Sequence, residues 1–180
     1  MRTRRNHPRN QVNNSSDENK ETSKEEKLQE ARNYLKRLLK YRPRTEQEVW
    51  ERMEEKGYSP DVIEETVDWG LEGDLIDDRL FAQYFVEDRL ENKPKGRSVL
   101  YKELLEHGVD SELANEVLDE KISVEAEQER CRKLAEKRLA SYHGDDVKAK
   151  YRKTLGFLQR RGFSKGLAGS ILKELLFNDD

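Results

Sequence analysis

Apolar positions recur at helical spacing from about residue 24 to the end of the 180-residue chain. Leu28, Ala31, Leu35, Leu38 and Leu39 stand at i, i+3, i+7, i+10 and i+11, which places them on one face of a helix. Pro43, in "RPR", disfavours helix at Arg42. Thr45 and Glu48 then make a T-x-x-E capping box for a second helix through Val49, Trp50 and Met53. Gly57 ends that helix at the position where a left-handed backbone is commonly needed. A third helix opens with Ser59 as N-cap and Pro60 in its first turn. Val62, Ile63, Thr66, Val67 and Gly70 form its inner face.

The same unit returns twice. A shift of 51 carries Val49, Met53, Gly57, Val62 and Val67 onto Leu100, Leu104, Gly108, Leu113 and Leu118, and Pro43 onto Pro94. A shift of 105 carries Met53, Gly57, Tyr58, Ser59 and Val67 onto Leu158, Gly162, Phe163, Ser164 and Leu172. Self-similarity at a nearly fixed period is the signature of repeat architecture. The prediction is an all-α chain of three tandem three-helix repeats, over 24–72, 74–123 and 124–178, in an elongated, curved arrangement. Gly57, Gly108 and Gly162 are its structural turns, and Ser59, Asp110 and Ser164 the caps that follow them. Asp77 is the expected N-cap of the middle repeat's first helix, with Phe81, Tyr84 and Phe85 on one face. Cys131, Leu134, Ala135 and Leu139 share a face in the third repeat, so Cys131 reads as a small buried hydrophobe.

Composition narrows the class. Charged residues make up 41% of the chain and apolar residues 33%, too few for one thick core but enough for several small helical units. Residues 1–23 are polar, begin with the basic "MRTRRNHPRN", and are expected to form a disordered arm. The net charge of −3 conceals segregation: residues 1–44 sum to +7, 45–122 to −14 and 123–180 to +4. Such a chain can present opposite potentials to different partners. A single cysteine permits no internal disulfide and fits a reducing cytoplasm. No apolar run approaches the roughly 18–20 residues of a membrane span.

Catalytic signatures are lacking. His7, His107 and His143 are scattered, and no H-x-x-x-H, C-x-x-C, G-x-S-x-G or P-loop occurs. The acidic cluster Glu72, Asp74, Asp77 and Asp78 lacks the spacing and glycine of a calcium loop and reads as helix capping. "RRGFS" at 160–164 begins like an RNA-binding signature, but a helix follows it rather than an aromatic-bearing strand. The sequence therefore points away from an enzyme and implies no cofactor, metal or small-molecule substrate.

Several ordered segments resemble the RecX family of regulatory proteins of bacterial recombination. They are Arg44-Thr45, Lys56-Gly57-Tyr58, Asp77-Asp78 with Phe81-Ala82, Arg89, Lys95-Gly96, Glu103-Leu104 before Gly108, and Arg161-Gly162-Phe163. The resemblance covers about residues 28–176. His107 departs from it, standing where the family commonly carries Lys. What the resemblance implies is a non-catalytic modulator acting in DNA repair, recombination and the SOS response. It would lodge in the groove of RecA filaments on DNA and inhibit strand exchange, ATP turnover and co-protease activity. A monomer that touches DNA indirectly or weakly is expected. Its candidate partner-binding residues are solvent-facing cations at the repeat borders: Arg44, Arg79, Arg89, Lys95, Arg97, Arg160 and Arg161. Two other readings fit the helical pattern, an autonomous DNA-binding protein of helix-turn-helix-like units and a helical-repeat adaptor for another protein. The acidic middle argues against the first of these.

Overall fold

Nine helices and no strand make up the described residues, 15–144 and 146–177, of the computed structural model; side-chain surroundings are described from residue 23. The first repeat holds α1 (Ser15–Leu39), α2 (Glu46–Lys56) and α3 (Pro60–Glu72). The second holds α4 (Asp78–Asn92), α5 (Arg97–Glu106) and α6 (Ser111–Lys121), and the third α7 (Val124–Ala140), α8 (Val147–Arg160) and α9 (Lys165–Phe177). The arm expected over 1–23 lies outside the described residues as far as residue 14, and from Ser15 the backbone is helical.

Two compact units divide the chain: one runs up to Tyr41 and adds Val49–Leu75, the other joins Arg42–Glu48 to Ile76 onward. In the first unit, α1 packs on α3 and buries Ala31, Leu35, Val49, Met53, Ile63 and Val67. The Tyr34 hydroxyl donates to the Arg52 carbonyl at 3.3 Å, and the Tyr34 and Tyr58 rings meet at 5.8 Å. The Arg32 guanidinium and the Lys36 ammonium lie 5.2 and 5.3 Å from the centre of the Trp69 ring, against its face. The second unit has a core in each of its two repeats. Phe81, Val86, Leu100, Leu104 and Leu118 centre the first; Cys131, Leu158, Phe163 and Leu172 centre the second. The repeat-equivalent Met53, Leu104 and Leu158 are all fully buried.

The three glycine turns share one hydrogen-bond pattern. Gly57, Gly108 and Gly162 have φ of +93°, +87° and +93°. In each turn the glycine N–H reaches back three residues and the next N–H five: Gly162 donates to Gln159 O at 3.0 Å and Phe163 to Leu158 O at 3.1 Å. That pair of bonds satisfies the last carbonyls of the helix. Of the following caps, Asp110 accepts from Glu112 N at 2.8 Å and Ser164 from Leu167 N at 3.2 Å. Ser59 occupies the extended N-cap backbone but its side chain makes no capping bond, Pro60 in the first turn supplying no N–H. Asp77 caps α4 by accepting from Leu80 N at 3.0 Å.

Within the second unit, the segment leading into the second helix of one repeat seats on the glycine turn of the next. Thr45 Oγ1 donates to the His107 carbonyl at 2.6 Å and accepts from Glu48 N at 3.0 Å. Correspondingly, Ser98 Oγ donates to Gly162 O at 2.8 Å and Gly96 N to Arg161 O at 2.8 Å. The approach is close enough to require small residues. A Cβ on Gly96 would overlap the Gly162 backbone, and one on Gly162 would lie 2.7 Å from Val99 N. At Gly57 a Cβ would meet nothing within 4 Å.

Candidate interaction surface

Five of the seven border cations are engaged by carboxylates. Arg44, on the extended segment before α2, is only 16% exposed at its side chain and lies 3.6 Å from Glu48 Oε2. Lys95, 19% exposed, pairs with Glu103 of α5. Arg89, near the end of α4, meets Asp88 at 2.7 Å and Glu103 at 3.6 Å, with its guanidinium 4.4 Å above the Phe85 ring. Arg79 pairs with both Glu116 and Glu120 of α6, the latter at 2.9 Å. Arg97, at the first turn of α5, meets Asp119 at 2.8 Å, and its own N–H donates to Glu127 at 2.9 Å. Arg44, Lys95 and Arg89 are therefore not solvent-facing as expected: a partly desolvated guanidinium or ammonium is held by the nearest carboxylate. Arg160 and Arg161 are exposed, and Arg161 lies 5.4 Å from the Phe157 ring centre.

The structure also assembles a node that sequence reasoning did not single out. Glu48, 12% exposed, meets Arg42 Nη1 at 2.8 Å and His107 Nδ1 at 3.0 Å as well as Arg44. The His107 ring packs 5.3 Å from Phe81 and 5.0 Å from Phe85, and Arg42 lies 5.7 Å from Phe81. Arg42, Glu48, Phe81, Phe85 and His107, together with Tyr84, Asp88 and Arg89, line a cavity of about 200 Å³. The Glu48 carboxylate is thus the anion on which three cationic or protonatable side chains converge. The available signal was Glu48 itself, noted as a capping-box residue.

Burial tunes two other groups. It pushes the Cys131 thiol up to about 11, so the neutral form persists through the physiological range. It also raises the Asp78 carboxyl, an effect opposed by the hydrogen bond that Asp78 accepts from Glu46 N at 2.9 Å. Among the described residues no group of three or more His, Cys, Asp or Glu side chains is placed to hold a metal ion. No helix among them is long and apolar enough to cross a membrane.

Comparison with known proteins places three domain families along the chain in order. The first three-helix domain of RecX matches residues 31–69, the second 77–118 and the third 125–172. The chain is 33% identical over 152 residues to "Regulatory protein RecX" of Amycolatopsis mediterranei (strain U-32), covering 84% of this chain and 86% of that protein. It is 34% identical over 156 residues to the protein of the same name from Mycolicibacterium smegmatis (strain ATCC 700084 / mc(2)155), covering 84% and 82%. The crystal structure of RecX from Lactobacillus salivarius superposes with a TM-score of 0.76 at 27% identity, over 83% of this chain and 97% of that one. A second structure, described as regulatory protein RecX, superposes with a TM-score of 0.82 at 20% identity over 89% and 78%, a likeness of fold.

Proposed function

The chain belongs to the RecX family of regulatory proteins, and on that premise we propose that it binds RecA filaments on DNA and inhibits their recombinase, ATPase and co-protease activities. The observation that carries this reading is the presence of all three RecX three-helix domains, in order, from residue 31 to residue 172. Three small units in one chain give several modest contacts that act together. Their combined affinity then exceeds that of any one, provided the partner repeats its surface as a filament does. The protein works as a monomer in the cytoplasm and contributes contacts rather than chemistry.

Its border cations divide into two groups in this scheme. Arg44, Arg89 and Lys95, held by Glu48 and Glu103, keep the partner-facing segments in place. Arg79, Arg97, Arg160 and Arg161 reach the partner. The test is ATP hydrolysis by RecA on single-stranded DNA, titrated with this protein, together with co-sedimentation with the filaments. Dose-dependent inhibition and co-sedimentation are expected. Unchanged turnover with no co-sedimentation would overturn the proposal.

A further inference from the structure

In each repeat the first and third helices pack side by side, and the third repeat leaves open a trough that the other two bridge. In the first repeat Lys24 of α1 pairs with Glu65 of α3. In the second, Arg79 of α4 pairs with Glu116 and Glu120 of α6. Glu65 and Glu116 are repeat-equivalent, and the shift of 105 carries the same position onto Ser170. One helical turn earlier, Asp61 and Glu112 give way to Gly166. The α7 side of the trough, with Val124, Glu125, Gln128 and Glu129, supplies carboxylates in place of a bridging cation. What remains is a trough of about 580 Å³, with the Arg132–Glu174 pair at one end.

Folding does not explain the exchange. An acid in the first turn suits the positive end of the helix dipole, and α3 and α6 carry Asp61 and Glu112 there. Helix α9 has none. Gly166 places a poor helix former inside α9, yet a Cβ there would meet nothing within 4 Å. Gly169 differs: a Cβ there would lie 3.3 Å from the Tyr151 hydroxyl, so packing within the repeat accounts for it. A glycine that no internal neighbour requires suits the close approach of a backbone from outside. The trough also has apolar surface. Ile171 is buried in its lining, Leu167 half-buried, and Val124 is 67% exposed. Glu125 pairs with no cation among the described residues, and Glu129 meets only Lys133 of its own helix, at 3.2 Å.

We propose that the trough between α7 and α9 receives a helix of a partner protein, one whose aliphatic stripe is flanked by Lys or Arg. The stripe covers Leu167 and Ile171, and the helix backbone passes over Gly166 and Ser170. Its cations reach Glu125 and Glu129, the part that Lys24 and Arg79 play inside the first two repeats. An amphipathic helix laid in a groove is held in this way, by apolar anchors one turn apart. The carboxylates on the rim repel phosphates, which excludes a nucleic acid. A polyamine would use the carboxylates but leave the apolar surface uncovered. This surface goes beyond the filament reading and does not depend on it.

The test is fluorescence anisotropy of a labelled helical peptide of about 15 residues, with Leu at i, i+3, i+4 and i+7 spacing and Lys elsewhere, titrated with the full chain. No RecA is present, so the outcome is independent of the filament question. Saturable binding is expected. The pair Gly166→Gln, Ser170→Gln fills the trough without changing the charge, and should weaken binding at least about tenfold by obstruction. Both changes introduce a better helix former, so this variant should fold as the parent does. The pair Glu125→Gln, Glu129→Gln should weaken binding and make it less sensitive to salt. The pair Glu64→Gln, Asp68→Asn removes the same charge from exposed positions of α3 and should bind as the parent does. Absence of binding, or an equal loss in the α3 pair, would overturn the proposal. So would equal affinity for a peptide with Ser in place of Leu, because the trough would then be a general cation attractor. Sedimentation equilibrium of the chain alone should show no self-association; self-association abolished by Gly166→Gln, Ser170→Gln would make a second copy the occupant and overturn the partner proposed.

Discussion

Two constraints, left-handed backbone and close packing, act on glycines in and against the turns, and Gly57, Gly96 and Gly162 separate them. Gly57 is left-handed with open space at the Cβ position, so Gly57→Ala should cost only the conformational penalty of about 1–2 kcal/mol. Gly96 has an ordinary φ of −81°, but a Cβ there would overlap the Gly162 backbone. Gly96→Ala should therefore destabilise through packing alone, by roughly 1–3 kcal/mol, the range for overfilled sites. Gly162 bears both constraints, and Gly162→Ala should be the worst of the three. Urea denaturation of the three variants gives the order directly; a Gly57 variant as unstable as the Gly162 variant would refute this assignment. Cys131 offers a second residue-level test. Its thiol is raised to about 11 in the fold, against about 8.5 in an unfolded chain. Between those values the folded state keeps a proton that the unfolded state releases, so stability contributed by the neutral thiol is lost as pH rises through that window. The pH dependence of stability from 8 to 10 should be shallower in Cys131→Ala than in the parent. Iodoacetamide should label the parent at pH 8 only on unfolding.

At the level of elements, the join between segment and turn within the second unit rests on a few hydrogen bonds. Thr45 is fully buried and bonded both to His107 O and to Glu48 N. Thr45→Val keeps the shape but leaves a partly buried carbonyl and amide without their partner, at a cost of about 1–3 kcal/mol. Ser98 is exposed and makes one such bond to Gly162 O, so Ser98→Ala should cost about 1 kcal/mol or less. Thermal melts of the two variants check the ranking. Helices and repeats of this kind are legible in sequence because each buries a narrow stripe, which leaves a period that Met53, Leu104 and Leu158 keep in register. The join between repeats is less legible. Nothing near Thr45 names a carbonyl 62 residues away as its partner. The border cations are hidden for the same reason: Arg79 is neutralised by Glu116 and Glu120, 37 and 41 residues on. Local spacing finds a cation at a border. Only the packed chain decides whether a distant carboxylate has claimed it.

At the scale of the whole molecule, the two units should differ in stability because their cores differ in size. The first rests on the buried side chains of one three-helix set, chiefly Ala31, Leu35, Val49, Met53, Val62, Ile63 and Val67. The second combines two such sets, and its buried side chains include the large aromatics Phe81, Phe85 and Phe163. Apolar burial contributes roughly 25 cal/mol per Å², and a small domain buries a smaller share of its surface than a large one. The first unit should therefore open at lower free energy than the second. Native-state hydrogen exchange tests this without perturbing the chain. Amides of α3 near Ile63 and Val67 should exchange through an opening less costly than the one that exposes α6 near Leu118 or α9 near Leu172. In urea the α3 amides should lose protection first, at a concentration where those of α6 and α9 are unchanged. A single common free energy for all three helices would mean that the units unfold as one, and that core size does not set the order.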